Sequence, residues 1–170
     1  MELSQREAWT VIHGMVLGAL FLLSFAGGLA GLYSLRPELI TTTGIQERLP
    51  RLRIGTWLMA IIAWLTVLTG TWIVYPWYRA SAPTSPRSLL LANPAKAEWH
   101  TFGMEWKEHV AWFAPIIATA VAFVVIYYGA QLAREHGLRR ASLALFVIAF
   151  AAAGVAGIFG AFINKMAPIT

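Results

Sequence analysis

The chain has 170 residues, of which 58% are hydrophobic and 12% are charged, and its mean hydropathy is +0.63. A soluble domain of this length normally carries about 25% charged residues, so the composition excludes that class and indicates a membrane protein. The sequence contains no cysteine, which excludes disulfides, iron–sulfur clusters and a covalently attached haem. The formal charge of +5 does not indicate nucleic-acid binding, because the basic residues flank apolar segments.

Four apolar segments are long enough to cross a bilayer, which requires about 20 residues. We predict transmembrane helices at residues 9–33, 54–78, 109–132 and 141–163. The first segment is longer than the apolar part of a secretion signal, so we expect it to be retained. Short connections make consecutive helices antiparallel neighbours. The sequence therefore predicts an all-α, up-down-up-down bundle that forms a single domain over residues 1–170.

The connections between the first three helices are predicted from their helix-breaking residues. Residues 34–53 should form a broken loop, because they contain Pro37, Gly44 and Pro50. Residues 95–108 have helical character, and we expect them to lie along the membrane surface as a separate segment.

The basic residues predict an orientation. Arg51, Arg53, Arg139 and Arg140 stand immediately before predicted helices, where the positive-inside rule is strongest. We therefore place their side in the cytoplasm. Both termini then lie on the opposite, periplasmic side of a bacterial inner membrane.

Two histidines lie at nearly the same depth in the outer leaflet. His13 is near the start of the first predicted helix, and His109 opens the third. Ionisable residues inside a membrane are functional candidates, because their burial is costly. Imidazoles on facing helices of one bundle can ligate the same cofactor. We predict His13 and His109 as the axial ligands of one haem b. A (bacterio)chlorophyll, which needs one axial histidine, is an alternative pigment.

Small and basic residues near these histidines complete the predicted cofactor site. Gly14 and Gly18 leave room for a flat macrocycle, although a helix-packing face of small residues explains them as well. Arg79 and Lys107 lie at the same side and can neutralise haem propionates. Ordinary snorkelling of basic side chains to the membrane surface explains these two equally well.

The polar segment before the third helix supplies a reserve ligand. His100 and His109 are nine residues apart, so on a continuous helix they face opposite ways and only one can serve the bundle core. We predict His109 as that ligand and keep His100 in reserve. Glu105 can accept the second ring N–H of His109 and orient it. The alternative for Glu105 is a solvated acidic helix start.

These features resemble the membrane-integral b-type cytochrome subunits of respiratory complexes. The resemblance covers the whole chain by architecture, and its motif is the pair formed by His13 and His109. It implies an electron-transfer subunit of a respiratory or photosynthetic oxidoreductase complex rather than a stand-alone enzyme. Its partners would be quinone or quinol and another redox subunit. The usual four histidines are replaced by one pair, which implies a relay near the outer face.

Two alternatives of other classes stay open. The chain can be a cofactor-free accessory or assembly subunit that fills gaps between the subunits of a larger membrane complex. It can also bind a non-haem metal at the outer surface through His100, Glu105 and His109, since imidazole and carboxylate suit such ions. No histidine spacing typical of zinc enzymes supports the second alternative.

Overall fold

Four long helices dominate the computed structural model, which describes residues 2–168. In chain order the helices are α1 (Gln5–Ser34), α2 (Thr42–Tyr78), the short α3 (Pro86–Leu91), α4 (Trp99–Ala133) and α5 (His136–Met166). No strand occurs among these described residues. The most apolar 18-residue windows of the four long helices have mean hydropathies of 1.9 to 2.4. The predicted class, an all-α membrane protein with four spans, is confirmed.

The chain divides into two compact units, and each long helix contributes residues to both. Unit 1 combines the chain up to Ala19, the segment Trp64–Trp112 and the chain from Ala152 onward. Unit 2 combines Leu20–Ala63 and Phe113–Ala151. Every residue predicted above to bind or orient a cofactor belongs to unit 1.

Close packing in unit 2 depends on two glycines of α1. A Cβ atom built at Gly28 would lie 2.5 Å from Cζ of Phe146 in α5. A Cβ at Gly31 would lie 2.9 Å from a methyl carbon of Leu52 in α2. Without a hydrophobic driving force in lipid, helices associate where small residues let them approach closely. Because these glycines have no side chain, α1 can pack closely against both α2 and α5.

Aromatic contacts join the helices in unit 1. Trp112 of α4 meets Trp64 and Trp72 of α2 edge-on, with ring centroids 6.2 and 6.3 Å apart. Trp106 of α4 makes a similar contact with Phe159 of α5 at 5.7 Å. Helices that follow one another in the sequence are therefore neighbours in the fold, as the short connections predicted.

The predicted loop through Pro50 is wrong, because α2 already begins at Thr42. The hydroxyl of Thr41 accepts the backbone N–H of Gly44 at 3.1 Å and so caps the helix. Pro50 has no N–H to donate to the carbonyl of Gln46, one turn earlier. Both residues are exposed, so water can satisfy that carbonyl and the helix continues.

The helical character predicted for residues 95–108 is confirmed from Trp99 onward, but their separation from the third span is not. From Trp99 onward this segment is continuous with α4 and does not form a separate helix. Between Glu105 and Tyr128 the α-helical pattern is interrupted at residues 111–112. The backbone N–H missing at Pro115 would have bonded there, at Ala111, which accounts for the interruption.

Three π-helical segments occur within the described helices, and all three lie in unit 1. They are Ile12–Val16 in α1, Gly70–Val74 in α2 and Trp99–Met104 in α4. A π-helical turn widens the helix by one residue and is frequent at functional sites. The first segment contains His13 and the third contains His100. We therefore expect a functional site in unit 1.

Candidate functional site

His13 is held against α2 by a hydrogen bond. Its Nδ1 lies 3.0 Å from Oγ1 of Thr69, and that hydroxyl donates its own hydrogen to the carbonyl of Leu65 at 2.7 Å. When the hydroxyl hydrogen is engaged there, its oxygen accepts the Nδ1–H of His13. The neutral ring then carries its lone pair on Nε2. A histidine that ligates a metal is commonly fixed in this way, with its other nitrogen donating to the protein.

Gly70 provides the space that the His13 ring occupies. A Cβ built at Gly70 would lie 2.8 Å from Cε1 of His13, closer than real Cβ contacts come. Gly70 also opens the π-helical segment of α2. A larger residue at position 70 would therefore displace this half-buried imidazole.

His109 has the same tautomer, and the group that determines this tautomer lies in its own helix. Nδ1 lies 2.7 Å from the backbone carbonyl oxygen of Glu105, which can only accept, so Nδ1 carries the hydrogen. The orienting group is thus the main chain of Glu105, whereas the sequence predicted its carboxylate. The side chain of His109 is exposed at the surface of this chain, and its role as a cofactor ligand stays a prediction.

His100 is the buried histidine of α4, with 6% of its surface exposed. Its Nδ1 lies 2.9 Å from the hydroxyl of Tyr78, and Nε of Arg87 lies 3.4 Å from its Nε2. Arginine can only donate, so Nε2 accepts and the Nδ1–H is directed to Tyr78. Through its two ring nitrogens, His100 bonds to Tyr78 at the end of α2 and to Arg87 of α3. These bonds stabilise the connection between α2 and α4. As a metal ligand, His100 would have to give up the bond with Arg87.

Arg79 is committed to two carboxylates. Its Nη2 lies 2.9 Å from Oε1 of Glu105 and 3.0 Å from both carboxylate oxygens of Glu108. Burial lowers the pKa of Arg79, but the hydrogen bond and charge of Glu108 outweigh it and raise the pKa above its ordinary value. The guanidinium is therefore charged and already balanced. A haem propionate would compete with Glu105 and Glu108 for it.

Lys107 forms no salt bridge with a carboxylate within residues 2–168. Its side chain is half-buried, and a Cβ at Gly160 of α5 would lie 2.7 Å from its Nζ. Within residues 2–168, Nζ forms no ion pair or hydrogen bond. An ammonium group directed toward a neighbouring helix without an acceptor can accommodate an anionic group of a ligand.

The two predicted glycines leave open space beside His13. A Cβ at Gly14 or at Gly18 would meet nothing within 4 Å. Helix packing within this chain therefore does not account for them. An open surface next to His13 agrees with the expected room for a flat group.

The structure brings together only some of the predicted residues. Arg79 joins Glu105, and Glu105 joins His109 through its carbonyl. In the part of the chain that is described, no hydrogen bond, ion pair or ring contact joins His13 to His109. Their pairing on one iron stays a prediction.

Sequence reasoning missed four residues that position the histidines. Thr69 and Gly70 hold His13, while Tyr78 and Arg87 hold His100. A glycine inside an apolar span signals a close approach, so Gly70 could have been noticed. Tyr78 and Arg87 look like ordinary residues of a helix end and a connection, and Thr69 like a threonine that bonds back to its own helix.

The described side chains contain no group of three or more histidine, cysteine or acidic residues arranged to hold a metal ion. The non-haem metal alternative at His100, Glu105 and His109 therefore gains no support. His100 is occupied by Tyr78 and Arg87, and Glu105 is paired with Arg79.

No protein-family model matches this chain, and comparisons with curated proteins and with solved structures give no match either. The class of this protein is therefore inferred from its fold and its side chains alone. The chain is an integral membrane protein of four helical spans, with its polar side-chain network in unit 1.

Proposed function

We propose that this protein is a membrane-integral b-type haem subunit that carries electrons within a larger redox complex. The observation that supports it is that Nδ1 of His13 and Nδ1 of His109 each lie within hydrogen-bond distance of a protein oxygen. In the tautomer that donates Nδ1–H to this oxygen, each imidazole keeps its lone pair on Nε2. That is the form in which histidine ligates iron. His100, with both nitrogens engaged, lacks this property.

The donor chemistry of the neighbouring residues fits a haem. His13 and His109 would hold the iron, and Thr69 and the Glu105 carbonyl would keep the two rings oriented. The open surface at Gly14 and Gly18 leaves space for a macrocycle. Lys107, which forms no salt bridge or hydrogen bond within residues 2–168, would neutralise a propionate. When bound, a haem supplies a one-electron redox couple whose potential depends on its ligands and surroundings.

The basic residues also support a proposal for the location and orientation of the protein. We infer an outer-face relay in a bacterial inner membrane, with both termini in the periplasm. Four arginines that lie within α2 and α5 just before the apolar spans support this orientation: Arg51, Arg53, Arg139 and Arg140. Quinol would supply the electrons and a partner redox subunit would accept them.

A reduced-minus-oxidised absorption spectrum of the full chain, purified in detergent, tests the proposal. We expect sharp α and Soret bands, and a pyridine haemochrome spectrum typical of non-covalent haem b. His13→Ala and His109→Ala should each lose most of the absorbance, because each removes one axial ligand. His136→Ala, an exposed histidine of unit 2, is the matched control and should keep it.

Two results would reject the haem assignment. One is a colourless protein that takes up no haem from added haemin. The other is a spectrum that survives both ligand substitutions. Extraction of a magnesium-containing pigment would instead identify a (bacterio)chlorophyll.

A second candidate function is a cofactor-free accessory subunit of a membrane complex. The exposed side chain of His109 favours it, because an imidazole on the outside of α4 can contact another subunit. The same purification separates the two functions. A colourless chain that co-purifies with other membrane proteins, and loses them after His109→Ala, supports the accessory role.

A further inference from the structure

Unit 2 contains a cavity at the end of α1 and the start of α5. Its volume is about 520 Å³, and residues of both helices and of the turn after α1 line it. Three of the lining residues are arginines: Arg36, Arg139 and Arg140. Leu32, Leu39 and Leu143 supply an apolar wall. A basic cavity with an apolar side, at the level where helices leave the membrane, has the character of a lipid headgroup site.

Arg139 is the fixed part of this cavity. It is only 7% exposed, and its Nη1 donates to the carbonyls of Leu35, Leu132 and Ala133 at 3.3, 3.4 and 3.0 Å. These bonds hold the guanidinium in one orientation. Among residues 2–168, its Nη2 and Nε make no hydrogen bond, so they are the donors left for a ligand.

The remaining charges of the lining also favour an anion. Arg36 stacks on the ring of Tyr33, with its guanidinium carbon 3.7 Å from the ring centroid. Arg140 and His136 lie in the first turns of α5, at the positive end of the helix dipole. Glu38 is the acidic residue of the lining. Three guanidinium groups against one carboxylate leave the cavity with a formal charge of +2.

From this geometry we infer that the cavity binds the phosphate group of an anionic phospholipid. Arginine binds phosphate through charge-assisted hydrogen bonds, and Arg139 is already oriented for them. The leucine wall would contact the lipid beyond its headgroup. Phosphate is the shared chemistry of a lipid and of the free ion. The leucines, together with the position at the helix ends, favour the lipid. The inference is independent of haem binding in unit 1.

Thermal unfolding of the full chain in dodecyl maltoside, followed by tryptophan fluorescence, tests this site. Dioleoylphosphatidylglycerol should raise the unfolding midpoint, whereas dioleoylphosphatidylcholine and sodium phosphate should not. In the double variant Arg36→Gln/Arg140→Gln, we expect the lipid concentration for a half-maximal rise to increase about tenfold, which corresponds to about 1.4 kcal/mol. Both arginines are exposed, so the double variant should still fold. Circular dichroism checks this.

Arg51→Gln is the matched control, since Arg51 is an exposed arginine of unit 2 outside the cavity lining. It should respond to the lipid like the unaltered protein. Arg140→Gln alone should give a smaller loss of affinity than the double variant. Three outcomes would overturn the inference. The first is a loss of lipid affinity in Arg51→Gln equal to that of the double variant. The second is a rise of the unfolding midpoint with dioleoylphosphatidylcholine equal to that with dioleoylphosphatidylglycerol. The third is the full rise with sodium phosphate in the absence of any anionic lipid.

Discussion

The position of the His13 ring depends on one glycine of the facing helix. Gly70 leaves the space that the imidazole fills, and Thr69 next to it supplies the hydrogen bond. Overpacking of a close contact typically costs about 1–3 kcal/mol, because the neighbours must shift. Exchange of glycine for alanine in an open helical position gains up to about 1 kcal/mol. The two effects oppose each other at Gly70, and only the second operates at Gly14.

We therefore predict that Gly70→Ala is less stable than Gly14→Ala by about 2 kcal/mol. A Cβ at Gly70 would push against the His13 ring, whereas a Cβ at Gly14 meets nothing within 4 Å. Unfolding in sodium dodecyl sulfate, followed by circular dichroism, measures the difference. Equal stability of the two variants would contradict the close packing of His13 on α2.

Sequence reasoning identified His13 at the residue scale but not its partners. An ionisable residue in an apolar segment stands out by composition alone. Thr69 is 56 residues away in the chain, and nothing local connects it to His13. For His100 and His109, the spacing correctly implied that only one of them is buried. It could not decide which, because that depends on the neighbouring helices.

At the scale of the helix, α2 extends through a proline that usually ends or bends a helix. Pro50 leaves the carbonyl of Gln46 without its partner, and both residues are exposed to solvent. The cap at Thr41 starts the helix well before the apolar span. Proline in a helix interior costs about 3 kcal/mol relative to alanine. The exposed site reduces that cost without removing it.

Pro50→Ala should therefore stabilise the protein by about 1–3 kcal/mol. Pro94, an exposed proline in the turn before α4, serves as the control. Pro94→Ala should lower the stability by less than about 1 kcal/mol, because its effect is to increase the conformational entropy of the unfolded chain. Thermal denaturation followed by circular dichroism gives both values. If Pro50→Ala brought no gain, α2 would not be continuous through this position.

The π-helical segments explain why helix faces were harder to predict than helices. Each widened turn shifts the faces of all later side chains around the axis, relative to a regular α-helix. Unit 1 has such segments in α1, α2 and α4. Apolar periodicity does not reveal them, because apolar residues cover the whole circumference of a membrane helix.

At the scale of the whole molecule, close approach depends on particular glycines, and glycine spacing alone does not identify them. The pattern Gly27-x-x-x-Gly31 suggests one packing face of α1. In the structure the contact glycines are Gly28 and Gly31, while a Cβ at Gly27 would meet nothing within 4 Å. Gly28 faces the fully buried ring of Phe146, which has no room to move.

Adjacent residues of α1 therefore make a matched pair. We expect Gly28→Ala to destabilise the protein by about 1–3 kcal/mol, because its methyl group would overlap Phe146. Gly27→Ala should leave stability unchanged or raise it by up to about 1 kcal/mol. Detergent-based unfolding of both variants in parallel measures the effects. Similar effects in the two variants would count against the tight packing of α1 on α5.

The sequence by itself determined that this protein is a bundle of four membrane-spanning helices. Transfer free energies add up residue by residue over about 20 positions, so this signal needs no knowledge of contacts. Only the tertiary structure decided that His100 is buried, that His109 is exposed and that His13 forms a hydrogen bond with Thr69. Such facts depend on the rotation of each helix and on partners distant in the chain, which local apolar patterns do not specify.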